Sequence, residues 1–177
     1  VVPYYPSPLP DTDENALYRA VAQVGLGNNV EAGIPELVRE IERQKPRDAE
    51  FYIVLGDARQ SIGKQSDAVA AYEQAVRLNP GSLRGLRALA GALQATGGTS
   101  HAAEILKRAI QIAPADPETW YRYGMLDSSS GRLTDAIGKI RKAIALDPSL
   151  PEKSRKLAEI LAKTGDPDRA QVALHDA

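Results

Sequence analysis

The side chains that most often carry chemistry are few in this sequence of 177 residues. Two histidines are present, His101 and His175, and neither has a second ligating residue at the spacing that a metal site needs. A solvated or partly packed imidazole explains each of them better than a metal ligand or a general base does. Cysteine is absent from the sequence, which excludes disulfides and thiolate ligands.

Three short stretches contain nucleophilic, glycine-rich or acidic residues, and each has a simpler explanation. The serines at 128–130 stand at the expected end of a helix, where polar residues are common. The stretch GLGNN at 25–29 lacks the third glycine and the preceding strand of a dinucleotide loop. The stretch DTDE at 11–14 precedes a helix, where acidic residues are caps more often than cation ligands. We therefore predict that the chain is not an enzyme and has no catalytic residue, metal site or cofactor.

Composition restricts the partners that the chain can attract. The formal net charge is −1, so no general attraction for nucleic acid or for an anionic membrane is expected. No run of 18 apolar residues occurs, and membrane insertion is not predicted. The sequence starts at Val1 without a methionine, which favours a piece of a longer protein whose compartment is unknown.

The elements that must position any site come from a repeat with a period of 34 residues. The stretch SDAVAAYEQAVRLNP at 66–80 has counterparts in SHAAEILKRAIQIAP at 100–114 and TDAIGKIRKAIALDP at 134–148. Apolar residues in each half recur at i, i+3, i+4 and i+7, which is typical of amphipathic helices. The repeats are 15–48, 49–82, 83–116, 117–150 and 151–177.

Small residues and turn residues recur at fixed positions of this frame. Small side chains at positions 20 and 27 allow two helices to approach closely. Position 15 tolerates the left-handed backbone that ends a helix, and proline at position 32 ends the second helix. Each repeat is thus predicted to be a helix–turn–helix pair, and Pro35 is expected in the first turn of a helix that starts late. The residues are Ala68, Ala102, Ala136, Ala75, Ala109 and Ala143 at the small positions, Asn29, Gly63, Gly97, Gly131 and Gly165 at position 15, and Pro46, Pro80, Pro114 and Pro148 at position 32.

This pattern resembles the tetratricopeptide repeat, whose consensus has Trp, Leu and Gly early, followed by Ala, an aromatic residue, Ala and Pro. The resemblance implies an all-α, right-handed superhelical solenoid of about ten helices, forming a single domain over 15–177. Residues 1–14, which include four prolines, are expected to form an extended segment or linker. The matching residues of the fourth repeat are Trp120, Tyr123, Gly124, Ala136, Ile140, Ala143 and Pro148.

The resemblance also implies a function. Members of this family bind peptides or helical segments of partner proteins in a concave groove lined by the first helices, at repeat positions that include 2, 5 and 9. The chain is therefore expected to be a non-catalytic scaffold for protein–protein interaction. The groove residues that the resemblance singles out are Arg19, Ile53, Asp57, Arg84, Arg87, Tyr121 and Met125.

Equivalent positions in successive repeats are neighbours, which separates these residues into two groups. Arg84 stands between Glu50 and Glu118, so a ladder of exposed ion pairs accounts for it. An apolar and cationic strip is expected beside the hollow that Gly91 leaves, and Arg87 and Tyr121 could stack within it. The members of this strip are Ile53, Arg87, Tyr121 and Met125.

Two other functions stay open at this level. The chain could be a structural, self-associating solenoid, since apolar residues such as Leu157, Leu161 and Leu174 in the last repeat have no sixth repeat to cover them. Contact between two such ends gives a closed dimer, and head-to-tail contact gives a filament. Alternatively, it could be the docking or regulatory arm of a larger enzyme that lies upstream.

Overall fold

The computed structural model describes residues 12–25, 30–149 and 151–165. Every regular element within these ranges is an α-helix, which confirms the all-α prediction. The helices are α1 (Asp13–Gly25), α2 (Val30–Gln44), α3 (Ala49–Ser61), α4 (Gln65–Leu78), α5 (Leu83–Ala95), α6 (Thr99–Ile112), α7 (Pro117–Ser129), α8 (Leu133–Leu146) and α9 (Pro151–Lys163).

The turns between paired helices follow the predicted glycines. Helix α1 packs on α2, α3 on α4, and α7 on α8, so each of these pairs corresponds to one repeat. The backbone leaves each first helix through a positive φ angle that side chains with a Cβ rarely adopt. These φ angles are +79° at Gly63, +85° at Gly97, +77° at Gly131 and +78° at Gly165. Asn29, the expected turn residue of the first repeat, lies outside the described residues.

Close contact between paired helices explains the small residues of the frame. A Cβ added to Gly56 would lie 2.4 Å from the ring of Tyr72, and one added to Gly124 would lie 2.6 Å from Ile140. The alanines at positions 20 and 27 of the second, third and fourth repeats are fully buried. A large side chain on one helix therefore fills the space that a small residue on its partner leaves free.

The chain divides into two compact units, Val1–Ala88 (unit 1) and Leu89–Ala177 (unit 2). In unit 1 the buried core lies between α1, α2, α3 and α4. In unit 2 a buried cluster joins α8 and α9, and side chains of α7 pack against it. The unit 1 core comprises Leu17, Ala20, Val21, Val24, Ile34, Leu37, Ile41, Leu55, Ala58 and Ala71, and the unit 2 cluster comprises Ala136, Ile140, Leu157, Ala158, Ile160 and Leu161.

The second helix of the first repeat does not start late. Helix α2 begins at Val30, so Pro35 lies inside it and the expectation of a first-turn proline was wrong. The first four N–H groups of a helix have no intrahelical acceptor, and Pro35 stands two residues beyond them. It removes the N–H that would bind the carbonyl of Glu31, close enough to the helix start that a single hydrogen bond is lost. Burial of Ile34 and Leu37 on either side holds the helix against the core.

Two further expectations fall at the ends of the chain. Helix α1 begins at Asp13, slightly before the predicted start at Asn15. The rest of the proline-rich segment and the predicted tenth helix lie outside the described residues. No helix in the described part of the chain has the length and apolar character needed to cross a membrane.

Candidate functional site on the first helices

The residues predicted to bind a partner all lie on first helices of the repeats. We call the side chains at positions 2, 5 and 9 of these helices the inner surface of the unit to which they belong. The inner surface of unit 1 includes Arg19, Glu50, Asp57, Arg84 and Arg87, and that of unit 2 includes Gly91, Tyr121, Met125 and Glu159.

The polar centre of the inner surface of unit 1 is the guanidinium of Arg84. Its Nη1 donates to Oε1 of Glu50, and its Nη2 donates to Oδ2 of Asp57 over 2.7 Å. Glu50 is thus the ladder partner that the sequence predicts, whereas Asp57 comes from a different repeat position. Glu118, the other expected partner, is paired with Arg122 one helical turn away. Arg84 therefore belongs to a network of two helices, α3 and α5.

Asp57 is also tied to the interior of unit 1. The hydroxyl of Tyr72, a fully buried residue of α4, donates to Oδ1 of Asp57 over 2.7 Å. Partial burial raises the pKa of Asp57, and the hydrogen bond from Tyr72 opposes that rise. Burial also raises the pKa of the Tyr72 phenol, and the nearby carboxylate of Asp57 raises it further. One carboxylate thus links a buried phenol to an exposed guanidinium.

Ile53 does not lie on the accessible part of this surface. Its side chain is 1% exposed, so the expectation that it lines a binding strip needs correction. The reason is found on the neighbouring helix, where Gly85 has no side chain. A Cβ built on Gly85 would lie 3.6 Å from Cδ1 of Ile53, which shows that Ile53 fills the space beside this glycine. Ile53 therefore contributes to packing between α3 and α5.

The two remaining cations of unit 1, Arg19 and Arg87, are both partly buried. Each has an interaction partner, so neither guanidinium is an isolated charge. Arg19 also lines a cavity of about 350 Å³ between α1 and α2, together with Gln23, Pro35 and Arg39. These positions give unit 1 a polar inner surface.

The inner surface of unit 2 is more apolar. Tyr121 and Met125 of α7 are partly buried and pack against the cluster formed by α8 and α9. Burial raises the pKa of the Tyr121 phenol, and the positive charge of Lys156 acts in the opposite direction. Lys153 lies beneath this surface, with its Nζ 6.0 Å from the centre of the Tyr121 ring and 3.9 Å from Oδ2 of Asp147. The ammonium of Lys153 is buried and has no hydrogen-bond acceptor among the described residues.

Gly91 of α5 occupies the repeat position that corresponds to Met125 in the next repeat. A Cβ added to Gly91 would find no atom within 4 Å, in contrast to the crowded glycines at 56 and 124. Further along α5, Nε2 of Gln94 donates to Oγ of Ser129 over 2.9 Å, and this hydrogen bond joins α5 to α7. The open backbone of Gly91 therefore lies on a helix whose position against α7 is held by a polar contact.

A second charged cluster of unit 2 was not anticipated from the sequence. Asp127 is 2% exposed and accepts hydrogen bonds from Arg132 and from Nζ of Lys139, and this Nζ also lies 4.4 Å from the centre of the Tyr123 ring. The cluster lines a cavity of about 350 Å³ that also includes Ser100 of α6. The sequence does contain a signal, because Asp127 stands where the third and fifth repeats have leucine, and Lys139 stands where each of the other repeats has an apolar residue. The neighbouring serines serve the helix end, as expected, since Ser129 and Ser130 both donate to the carbonyl of Leu126.

The sequence is similar to parts of several longer proteins. It is 36% identical over 118 residues to Cellulose synthase 2 operon protein C of Komagataeibacter xylinus, and 28% identical over 131 residues to Cytochrome c-type biogenesis protein CycH of Bradyrhizobium diazoefficiens. These matches cover 65% and 71% of this chain but 9% and 36% of the relatives. The chain thus spans a minor part of the length of the curated relatives that it matches.

Solved structures with the same fold cover most of the chain. MamA from Desulfovibrio magneticus RS-1 has a TM-score of 0.80 at 19% identity, with 92% of each chain covered. TTC0263, a thermophilic TPR protein of Thermus thermophilus, has a TM-score of 0.69 at 22% identity, covering 92% of this chain and 88% of that one. At these identities the likeness shows the fold.

The repeat itself is matched directly. Two family models of the tetratricopeptide repeat match the sequence, one over residues 49–82 and the other over residues 83–126. The first match coincides with the second predicted repeat, and the second begins where the third predicted repeat begins. Together with the helix pairs and their glycine turns, these matches show that residues 49–126 of the chain form tetratricopeptide repeats.

Proposed function

We propose that this chain is a scaffold that binds a peptide segment of a partner protein on the inner surface of its repeats, with the hollow at Gly91 as an anchor point. Tetratricopeptide repeats suit such a role, because stacked helix pairs expose a continuous series of first-helix side chains. The observation that carries the proposal is the open space around Gly91, combined with the partly exposed apolar side chains of Tyr121 and Met125 in the same unit.

The packing of the described residues does not explain why residue 91 is a glycine. Glycine inside a helix costs roughly 0.5–1 kcal/mol relative to alanine, and this cost is usually offset by a close contact. Gly56 and Gly124 have such contacts, whereas Gly91 has none among the described residues. A hollow of this kind fits the side chain or main chain of a bound segment. We infer that the segment places an apolar side chain there, because Tyr121 and Met125 offer an apolar surface.

Selection from a library of random peptides displayed on phage tests this proposal with the intact chain. Bound peptides would be recovered against the unmodified protein and then measured against Gly91→Leu by calorimetry. The Cβ of this leucine would meet no described atom within 4 Å. The rest of its side chain would occupy the hollow, so we expect binding to fall by at least about tenfold while stability rises slightly.

Gly138→Leu provides the matched control. Gly138 also lies inside a helix with no atom near its virtual Cβ, but it is exposed on α8, a second helix. The same substitution there brings the same gain in helix propensity and should leave binding unchanged. Peptides that bind both variants equally well, or a library that yields no binder, would contradict the proposed site.

A further inference from the structure

We infer that Tyr72 is a positioning residue of the inner surface of unit 1. Through Asp57, its hydroxyl holds the guanidinium of Arg84 in the orientation in which a bound segment meets it. The inference rests on the proposed function, because it gives Arg84 a part in recognising the segment. It concerns unit 1, whereas the anchor at Gly91 belongs to unit 2.

The contacts form a continuous chain from the interior to the surface. Tyr72 is 0% exposed, and its hydroxyl lies 2.7 Å from Oδ1 of Asp57 and 2.9 Å from Oε1 of Gln60. The hydroxyl has one hydrogen, and the charged carboxylate is the stronger acceptor. The other oxygen of Asp57 accepts from Nη2 of Arg84, whose Nη1 donates to Glu50.

The fold does not need the hydroxyl of Tyr72. The equivalent position in the third and fourth repeats is Leu106 and Ile140, which are 2% and 0% exposed and pack without any polar atom. The position of Asp57 is likewise occupied by other residue types in the other repeats. The phenol, the carboxylate and the guanidinium therefore occur together in one place for a reason other than stacking the helices. The residues equivalent to Asp57 are Gln23, Gly91, Met125 and Glu159.

The three hydrogen-bonded residues differ in burial: Tyr72 is buried, whereas Asp57 and Arg84 are exposed. The side chains of Asp57 and Arg84 are 47% and 51% exposed, so neither is held by packing alone. Long exposed side chains populate many rotamers, and ordering them during binding costs free energy. A bond from a buried phenol removes some of this disorder before the segment arrives. This is the advantage that we assign to Tyr72.

The charge around Arg84 indicates which group of the segment it meets. Glu50 and Asp57 already supply two negative charges to one guanidinium. A third carboxylate is therefore disfavoured, whereas a neutral acceptor is not. A guanidinium has five N–H donors, and two are engaged by these carboxylates. We infer that the remaining donors bind main-chain carbonyl groups of an extended segment.

Nuclear magnetic resonance of the intact protein tests the positioning without any partner. We expect the Arg84 guanidinium to show hindered rotation, with separate Nη signals that disappear in Arg84→Ala. In Tyr72→Phe these signals should average into one. The matched control is Tyr52→Phe in α3, since the Tyr52 hydroxyl forms no hydrogen bond with the described residues and its loss should change nothing. Identical Arg84 signals in the unmodified protein and in Tyr72→Phe would overturn the inference, whether or not the chain binds peptides.

Binding to a peptide selected from the phage library tests the functional part. Tyr72→Phe should weaken binding roughly fivefold, the equivalent of about one hydrogen bond. In an Arg84→Ala background the same change should have no effect, because the group that it positions is absent. Equal losses in both backgrounds would show that Tyr72 acts only through stability and would overturn the proposal. Asp57→Asn, which removes the charged acceptor between Tyr72 and Arg84, should reproduce the loss seen with Tyr72→Phe.

Discussion

At the scale of single residues, a buried ion pair of unit 2 stands where a neighbouring repeat has two apolar side chains. Asp127 and Lys139 occupy positions 11 and 23 of the fourth repeat, and the third repeat has Leu93 and Ile105 there. Leu93 and Ile105 are 7% and 9% exposed, so an apolar pair is compatible with the fold at these positions. Burial of an ion pair is often no more favourable than burial of apolar residues of similar size.

We therefore predict that the double variant Asp127→Leu/Lys139→Ile is at least as stable as the unmodified chain. Asp127→Leu alone should lose about 3–5 kcal/mol, because Lys139 would remain mostly buried without its carboxylate. Arg132 tolerates the loss better, since 46% of its side chain is exposed. Urea unfolding of the two variants checks this, and a double variant as unstable as the single one would contradict it.

Gly124 and Gly91 both lie inside first helices, but their replacement by alanine should change stability in opposite directions. In Gly124→Ala the new methyl would lie 2.6 Å from Ile140 and 3.1 Å from the carbonyl oxygen of Ala136, so we predict a loss of about 1–3 kcal/mol. In Gly91→Ala no described atom is near, and a gain of about 0.5–1 kcal/mol is expected. Thermal unfolding measures both, and equal shifts would disprove the assignment of Gly124 to a helix contact.

At the scale of helices, the starts of first helices depend on caps that the repeat frame did not indicate. Oδ2 of Asp116 accepts from the backbone N–H of Thr119 over 2.8 Å, and Asp48 caps α3 in a similar way. Thr119 is fully buried, and its hydroxyl donates to the same carboxylate. We predict that Asp116→Ala destabilises the chain by about 1–2 kcal/mol. Asp116→Ser should recover most of this loss in the same unfolding measurement, and an unchanged midpoint for Asp116→Ala would argue against the cap.

The sequence predicted the helices well because their determinants are local. The spacing of apolar residues, the glycines at turns and the small residues at helix contacts can all be read from the amino-acid sequence. The place of Pro35 inside α2 does not follow from local signals, because the cost of this proline depends on how firmly the rest of α2 packs. This packing involves distant residues such as those of α3. Local propensity is a weak guide where tertiary contacts decide.

The candidate site was less predictable because it depends on side-chain reach. Equivalent positions of successive repeats are neighbours, and this rule predicts Glu50 as a partner of Arg84 but does not predict Asp57. The long side chain of Arg84 can reach a second residue, which lies two turns beyond Glu50 on the adjacent helix. Burial of Ile53 likewise depends on Gly85, whose missing side chain matters only when the helices are placed together.

At the scale of the whole molecule, self-association would depend on apolar side chains at the end of the last repeat. Leu157 and Leu161 of α9 are 6% and 3% exposed, so these two side chains are already covered. Leu174, the third residue expected at an open end, lies outside the described residues. Self-association through the last repeat therefore stays a prediction, and a mass fixed at that of one chain over a range of concentrations would contradict it.

The stability of the whole chain should fall on acidification, because several carboxylates bind protons less readily when folded. Hydrogen bonds from Arg43 and then Gln44 lower the pKa of Glu40 below its ordinary value of 4.5, and the hydrogen bond from Lys156 lowers that of Glu159. Such groups stabilise the folded state above their ordinary pKa and lose this contribution as the pH falls through their folded pKa. Asp57, whose pKa is raised, acts in the opposite direction and offsets part of the loss.

Glu40→Gln isolates one of these contributions. We predict that the variant is less stable than the unmodified chain near neutral pH and that the difference shrinks as the pH falls from about 6 to about 3. The reason is that the unmodified carboxyl becomes neutral in the same range and then resembles the amide. The control is Glu42→Gln, an exposed residue of the same helix, which should have little effect at any pH. Urea unfolding at a series of pH values provides the measurement. A difference between Glu40→Gln and the unmodified chain that stays constant with pH would mean that Glu40 contributes through packing, since a contribution from its charge must disappear with the charge.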